Sequence, residues 1–330
     1  MSAVDNAPPA LDPPGQAPPP PDPPPEQPAR AAARRGPLRA LLALSRPGQW
    51  LKNPAVIALP LVSVPHWTLS VAGELVRAVV LFTIASVAVY TLNDLRDRQR
   101  DRLHPRKRLR PLASGELSPA AARWFLAVLC LVLVGAAVLG QPGRVWPVFA
   151  YGALNLAYSL RLKHVPLVDA FAVAAGFVLR AEQGYAAVGT SPSPWLLFAV
   201  LTACLLLVLG KRRRELADGA VLHRPALRGY SVQLLDYLIL ISATLSAVSY
   251  LLLLRSESSA GHDPVLLIVL TAPCAVFALF RYLQLLVVGQ GGGDPVRTML
   301  GDRPLIASAV VWAAVVIVAM TVFHLHLPIS

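Results

Sequence analysis

The chain has 330 residues, 55% of them hydrophobic and 15% charged, with a formal net charge of +12 and a mean hydropathy of +0.56. That balance excludes an ordinary soluble domain, and the long apolar stretches point to a protein that crosses a membrane several times. The excess of Lys and Arg is read first as a topology signal, not as a nucleic-acid footprint. Cys130, Cys204 and Cys274 all lie in apolar runs without metal spacing, so they read as packing residues.

The first 36 residues differ in kind from the rest. Residues 1–30 carry twelve prolines and few large apolar side chains, so this segment cannot bury a core and is expected to be a disordered tail with polyproline II character. It has no basic region followed by an apolar core and is not read as a signal peptide. Next, Leu38, Leu41 and Leu42 share one helical face, flanked by Arg39 and Arg46, which predicts a short interfacial helix. Residues 37–330 then read as one all-α membrane domain. Nine candidate spans run over 53–72, 75–93, 120–140, 143–161, 166–190, 194–210, 234–254, 263–288 and 304–325, each near the ~20 residues needed to cross the hydrocarbon. The first is the weakest, because Pro54, Pro60 and Pro65 interrupt it. Ser118-Pro119 supplies an N-cap and first-turn pair for the third.

The basic residues alternate between sides. Twenty-four fall on the tail segment 29–52 and on every second connection, against three (Arg77, Arg144 and Arg255) on the other side. By the positive-inside rule the N-terminus and the rich loops are cytoplasmic and the C-terminus is outside. The location that follows is multi-pass in the plasma membrane, with a cytosolic-facing cavity.

Sidedness does not account for the acids. Directly after the second span the chain reads Asn93-Asp94-Leu95-Arg96-Asp97-Arg98-Gln99-Arg100-Asp101. In one continuing helix Asp94, Asp97 and Asp101, at i, i+3 and i+7, point the same way, and like charges on one face call for a cation between them. Hard carboxylate oxygens suit magnesium, which keeps open positions for phosphate. The competing reading is a solvated helix laced with ion pairs. The loop that follows, from His104-Pro105 through Arg106, Lys107, Arg108 and Arg110-Pro111 to Ser114-Gly115, sets cations beside the acids. Acids for a metal and cations for phosphate oxygens are the parts a diphosphate site requires.

These residues resemble the first aspartate motif of the UbiA superfamily of intramembrane prenyltransferases. The resemblance covers about residue 46 to the C-terminus. Arg46-Pro47-Gly48-Gln49-Trp50-Leu51-Lys52-Asn53, the His104 to Gly115 loop, Tyr158-Ser159 with Leu162-Lys163 and Asp169, Gly176 to Ala181, and Gly210-Lys211-Arg212 with Glu215-Leu216 resemble, in that order, the decaprenyl-phosphate phosphoribosyltransferases of actinobacteria. The resemblance implies a magnesium-dependent transfer of 5-phosphoribose from 5-phosphoribosyl 1-diphosphate (PRPP) to a polyprenyl phosphate. Metal would be held by Asp94, Asp97 and Asp101. One departure stands out: many relatives carry a second DxxxD motif, whereas Asp169 is followed at i+4 by Val173.

On this reading Asn93 orients an aspartate or a phosphate oxygen, and Lys52, Arg106, Lys107, Arg110, Lys163, Lys211 and Arg212 are candidates for phosphate binding. Arg98, Arg100, Arg213 and Arg214 are assigned to topology or lipid headgroups. Arg180, mid-way in an apolar segment, must face a cavity and a partner. A phosphate or Asp169 is the functional reading, and Glu182 the structural one. Tyr158 is placed to bond substrate or to belong to an aromatic belt. A homo-oligomer is left open. The alternatives are a UbiA-type aromatic prenyltransferase of quinone synthesis, which shares the first motif, and a membrane transporter.

Overall fold

The computed structural model describes residues 36–53, 56, 60, 68–104, 107–140, 142–219, 225–256, 264–289 and 293–325, and all regular structure among them is helical. The elements are α1 Pro37–Ser45, α2 Leu69–Arg102, α3 Pro111–Ser114, α4 Pro119–Leu139, α5 Trp146–Leu160, α6 Val168–Val188, α7 Pro194–Ala217, α8 Val232–Ser256, α9 Pro264–Val287, α10 Pro295–Gly301 and α11 Arg303–Leu325, with short 3-10 turns between several of them. The proline-rich tail lies outside the described residues, as does most of the first expected span.

Among the described residues five helices are long and apolar enough to cross a membrane, or six if α10 and α11, bent by 83°, form one broken span. This is fewer than the nine expected, for physical reasons. At 1.5 Å per residue the 15 residues of α5 reach only about 22 Å, short of a ~30 Å hydrocarbon layer. In α6, Asp169, Arg180, Glu182 and Gln183 dilute the apolar surface. The span expected over 75–93 is part of the 34-residue α2, about 51 Å long, which starts at an N-cap where Thr68 accepts from the Val71 amide at 3.2 Å. The Ser118 cap is as the sequence predicts: its hydroxyl accepts from the Ala121 amide at 3.1 Å, with Pro119 in the first turn.

The short helix α1 forms where the leucines predict it. Ala40 and Leu44, an i,i+4 row, are fully buried against Leu112, Leu117 and Ala122, with Leu41 packed beside them, while Leu38 and Leu42 face outward. The outward pair is left to the membrane interface. α1 ends because Arg46 turns into the left-handed region at φ 52°, and Trp50 Nε1 locks that turn by donating to the Ser45 carbonyl at 2.9 Å.

Two further apolar cores build the bundle. One joins α2 and α5 through Ala78, Phe82, Ala85, Val148 and Tyr151. The other joins α6, α7, α8 and α9 through Ala170, Leu205, Leu209, Leu235, Ile239 and Leu286. Away from these cores, α8, α9 and α11 meet at a polar junction: Trp312 Nε1 donates to the Tyr250 hydroxyl at 2.8 Å, which donates to Thr271 Oγ1 at 2.6 Å. α4 is peripheral, with Trp124, Leu131 and Val138 exposed to where lipid would lie.

Gly184 in α6 allows the chain before α2 to pass against the helix, since an added Cβ would stand 1.9 Å from the Val56 carbonyl oxygen. Gly184→Ala is therefore expected to lower stability by about 1–3 kcal/mol through overpacking. Gly152→Ala, where nothing lies within 4 Å of the added carbon, is expected to be neutral or stabilising. Thermal unfolding of the two variants in detergent checks the pair.

Candidate active site

The carboxylates of α2 are sorted by helical angle. Asp94 and Asp101 lie on one stripe and are almost fully buried. Arg110, the N-cap of α3, reaches between them: its Nη1 donates to Asp94 Oδ1 at 3.1 Å and to Asp101 Oδ2 at 2.6 Å. Arg46 closes the group from the other side, forming an ion pair with Asp94 while its guanidinium lies 5.1 Å over the Tyr90 ring. Two guanidiniums thus balance two buried carboxylates, which burial would otherwise penalise heavily. The connection that carries Arg110 is pinned to α2 by two arginines. Arg98 donates to the Leu112 carbonyl at 3.1 Å and Arg102 to the Ala113 carbonyl at 3.2 Å. Arg98, assigned from sequence to topology or headgroups, is instead an anchor of this loop.

Asp97 lies about 60° around the helix from Asp94 and about 40° from Asp101 and is half-buried. It faces a cavity of about 260 Å³ lined also by Arg96, Arg100, Ser159, Lys163 and His164. Ser159, near the end of α5, joins the two regions: its hydroxyl donates to Asn93 Oδ1 at 2.5 Å. Asn93 Oδ1 thereby ties α2 to the end of α5. Among the described residues no three acids, histidines or cysteines converge on one point. A buried carboxylate pair still fits magnesium, which uses one or two carboxylates and completes its shell with phosphate oxygens and water.

A second cluster sits where α6 begins. Asp169 is fully buried; Oδ2 accepts from Arg212 Nε at 2.8 Å and Oδ1 from the Tyr230 hydroxyl at 2.8 Å. Arg212 also reaches Glu215 at 3.0 Å, and Tyr158 sits beside the same charges. The Tyr230 oxygen in turn accepts from the Leu167 amide at 2.6 Å. Leu167 has φ 65° and ψ −52°, and the Val168 amide bonds back to the Pro166 carbonyl at 2.8 Å. That is a γ-turn of the rare, strained kind, held by the clasp around it. Burial, followed by the bond to Asp169, pushes the Tyr230 phenol well above its ordinary range, so it stays a donor.

Arg180 meets neither Asp169 nor Glu182. It is buried; Nη1 donates to the Gly176 carbonyl at 2.8 Å and Nη2 to the Tyr151 hydroxyl at 3.2 Å, and Nε lies 3.4 Å from Asn53 Oδ1. Phe82, Tyr151 and Phe177 surround the guanidinium at 4.9–5.0 Å from their ring centres. Aromatic faces and neutral acceptors compensate this charge in place of a carboxylate.

The other predicted cations separate in the same way. Lys211 lies 4.0 Å from Glu215, and Arg212 is committed to Asp169. Arg213 bonds Asp236 at 2.5 Å and the Leu286 carbonyl at 3.3 Å, so it is a helix tie rather than a headgroup charge. Lys107 is exposed on its 3-10 turn. Arg106 and the side chain of Lys52 lie outside the described residues. Sequence reasoning missed Arg46, Tyr90, Ser159 and Tyr230 as site residues. Tyr90 precedes Asp94 by four residues and so shares its face. Far along the chain Arg281 donates to Asp302 at 2.8 Å, which holds that carboxyl below its usual range.

A membrane-crossing helical bundle with buried carboxylates and guanidiniums gathered where its helices end defines the class, an integral membrane protein with a charged site at its helix ends. Residues 54–288 match the model of the UbiA prenyltransferase family, and the chain belongs to that family. It is 31% identical over 293 residues to the decaprenyl-phosphate phosphoribosyltransferase of Corynebacterium glutamicum, with 86% of each chain covered. To the protein of the same name from Mycobacterium tuberculosis it is 33% identical over 279 residues, 82% of this chain and 91% of the relative. A UbiA homolog from Archaeoglobus fulgidus, solved bound to DMAPP and Mg2+, superposes with a TM-score of 0.63 at 16% identity over 86% of this chain and 98% of that one, a likeness of fold.

The Asp169 clasp has a stability consequence. Asp169→Asn keeps the volume but leaves Arg212 buried without its full counter-charge, and breaking such a pair costs about 3–5 kcal/mol. Thermal unfolding in detergent is expected to show a much larger loss for Asp169→Asn than for Asp218→Asn, whose partner Arg214 belongs to an exposed pair.

Proposed function

We propose that this protein transfers the 5-phosphoribosyl group of PRPP to a polyprenyl phosphate of the decaprenyl type, releasing diphosphate. The observation that carries the proposal is the likeness, across most of both chains, to relatives named for that reaction. The site supports it chemically. PRPP brings two clusters of phosphate charge, and the end of α2 offers cations on both sides: Arg46 and Arg110 on one, Arg96, Arg100 and Lys163 on the other.

Magnesium held by Asp94 and Asp101, with Asp97 beside them, would supply the positive charge that lets diphosphate leave C1. The same metal use is supported by the Archaeoglobus homolog's bound Mg2+. Arg110 and Arg46 exchange carboxylate oxygens for diphosphate oxygens as the leaving group enters, so charge is met by groups already in place. Asn93 and Ser159 hold the end of α5 against α2 and keep Lys163 at the cavity. The acceptor phosphate is anionic and needs no general base. Attack opposite the leaving group inverts C1 to a β-linked product. The charge asymmetry supports a cytosolic position for this end of the bundle in the plasma membrane, with the polyprenyl chain among the apolar helices.

Membranes supplied with magnesium, labelled PRPP and decaprenyl phosphate are expected to place label in the lipid fraction. Chelation of divalent metal should stop the transfer, and Asp94→Asn should reduce it by about 100-fold or more, the order seen when one charge-stabilising group is removed. Label that stays in the aqueous phase, while a prenyl diphosphate is transferred to an aromatic acid, would refute the reading.

A further inference from the structure

Ion pairing in this protein uses up most of its interior-facing cations. Arg46 and Arg110 are held by Asp94 and Asp101, Arg212 by Asp169, Arg213 by Asp236 and Arg281 by Asp302. Three cations around the cavity beside α2 follow another pattern. Arg96, Arg100 and Lys163 line it together with His164; Arg96, Arg100 and His164 are exposed at its open side, and none of the three cations has an ion pair or side-chain hydrogen bond among the described residues. They are brought together by two separate elements: Arg96 and Arg100 stand one turn apart on α2, and Lys163 and His164 sit on the Leu162–His164 turn that follows α5. That turn is not free to drift. Its start is tied through Ser159 to Asn93 at 2.5 Å, and the chain just beyond it through the γ-turn at Leu167 to Tyr230 at 2.6 Å. A strained backbone kept in place by a buried clasp, presenting unpaired cations to a concave space, has the form of a prepared anion site.

We infer that this cavity is the subsite for the 5-phosphate of the donor, distinct from the Asp94–Asp101 face that takes the metal and diphosphate. The inference rests on the function proposed above and assigns the two phosphate groups of that donor to two faces of one helix. The donor's phosphate and diphosphate lie at opposite ends of one ribose ring. Asp97, the one carboxylate on the cavity wall, stands at the boundary between the faces, where ribose passes from one to the other. A terminal phosphate carries up to two negative charges and three acceptor oxygens, which three cations and an imidazole match. The paired residues Lys211 and Arg212, near in sequence pattern to phosphate binders, belong to the clasp that holds the subsite rather than to its lining.

The test compares two donors on the full chain in membranes: PRPP, and ribose 1-diphosphate, which has a hydroxyl where PRPP has its 5-phosphate. For the wild type the ratio of kcat/KM for PRPP over that for ribose 1-diphosphate measures recognition of the 5-phosphate. In the double variant Arg100→Ala, Lys163→Ala this ratio is expected to fall at least tenfold, chiefly through KM for PRPP. A ratio that stays at the wild-type value, whether or not both activities drop, overturns the subsite while leaving the proposed reaction intact. A wild type that transfers nothing from PRPP overturns both. A second measurement does not depend on the variant folding. Ribose 5-phosphate, which has no leaving group, is expected to protect Lys163 of the wild type from an amine-reactive reagent more than it protects exposed Lys107. Equal reaction of the two lysines, or protection of Lys163 by free diphosphate in place of ribose 5-phosphate, also overturns the assignment.

Discussion

One guanidinium spanning two buried carboxylates is the interaction on which the site depends. Asp94 and Asp101 lie in the same stripe of α2, out of water, where neither is tolerable uncompensated. Arg110 bonds both, and Arg46, paired with Asp94, supplies the second positive charge that balances the stripe. To bond both, Arg110 must arrive from outside the helix, and the loop between α2 and α3 is built to deliver it. Arg98 and Arg102 fasten that loop to α2, while Leu112 and Ala113 bury its apolar side against α1 and α4. On the proposed reading, the side chain that holds these carboxylates is also the group a bound diphosphate would draw away, so structural neutrality and ligand recognition would use the same bond.

The rest of the charge falls into order around that constraint. A cation committed to a carboxylate at a helix junction stiffens the bundle, as Arg212 does at Asp169 and Arg213 at Asp236. Arg96, Arg100 and Lys163, which have no ion pair among the described residues, meet at the concave space between α2 and the turn after α5. Arg180 is a third kind, a charge kept inside the bundle by ring faces and neutral acceptors. Its place among Phe82, Tyr151 and Phe177 fixes three helices around one guanidinium and raises the positive potential beneath the site.

Much of this was legible in the residues. The helical period predicts that α2 continues through the acids, and the Ser118-Pro119 pair predicts where α4 begins. The sorting of cations was not legible from their number alone. Lys211, Arg212, Arg213 and Arg214 stand in a row, and only Arg212 is buried. It lies on the stripe of Leu205, Leu209 and Leu216 at helical spacing, a signal present in the sequence but hidden by the charge of its neighbours. Asp169 read as the remnant of a metal motif because spacing cannot reveal Tyr230, sixty-one residues away. α5 and α6 form where spans were expected, but α5 is short and α6 carries buried charge, since a helix surrounded by other helices need not be long or uniformly apolar. On α1 the leucine stripe marked the outward face of Leu38 and Leu42, but it did not show that Ala40 and Leu44 would pack inward.

The length of α2 has a consequence of another kind. About 30 Å of its roughly 51 Å suffices to cross the hydrocarbon, so on the proposed reading its last turns, with the acids on them, stand at the level of the lipid headgroups. A polyprenyl phosphate presents its only reactive group at that same depth. On the proposed reading the long isoprenoid tail is never lifted toward water, and the charged sugar is never carried into oil. Each substrate keeps its own solvent, and the protein's task is to make one plane where the two solvents meet.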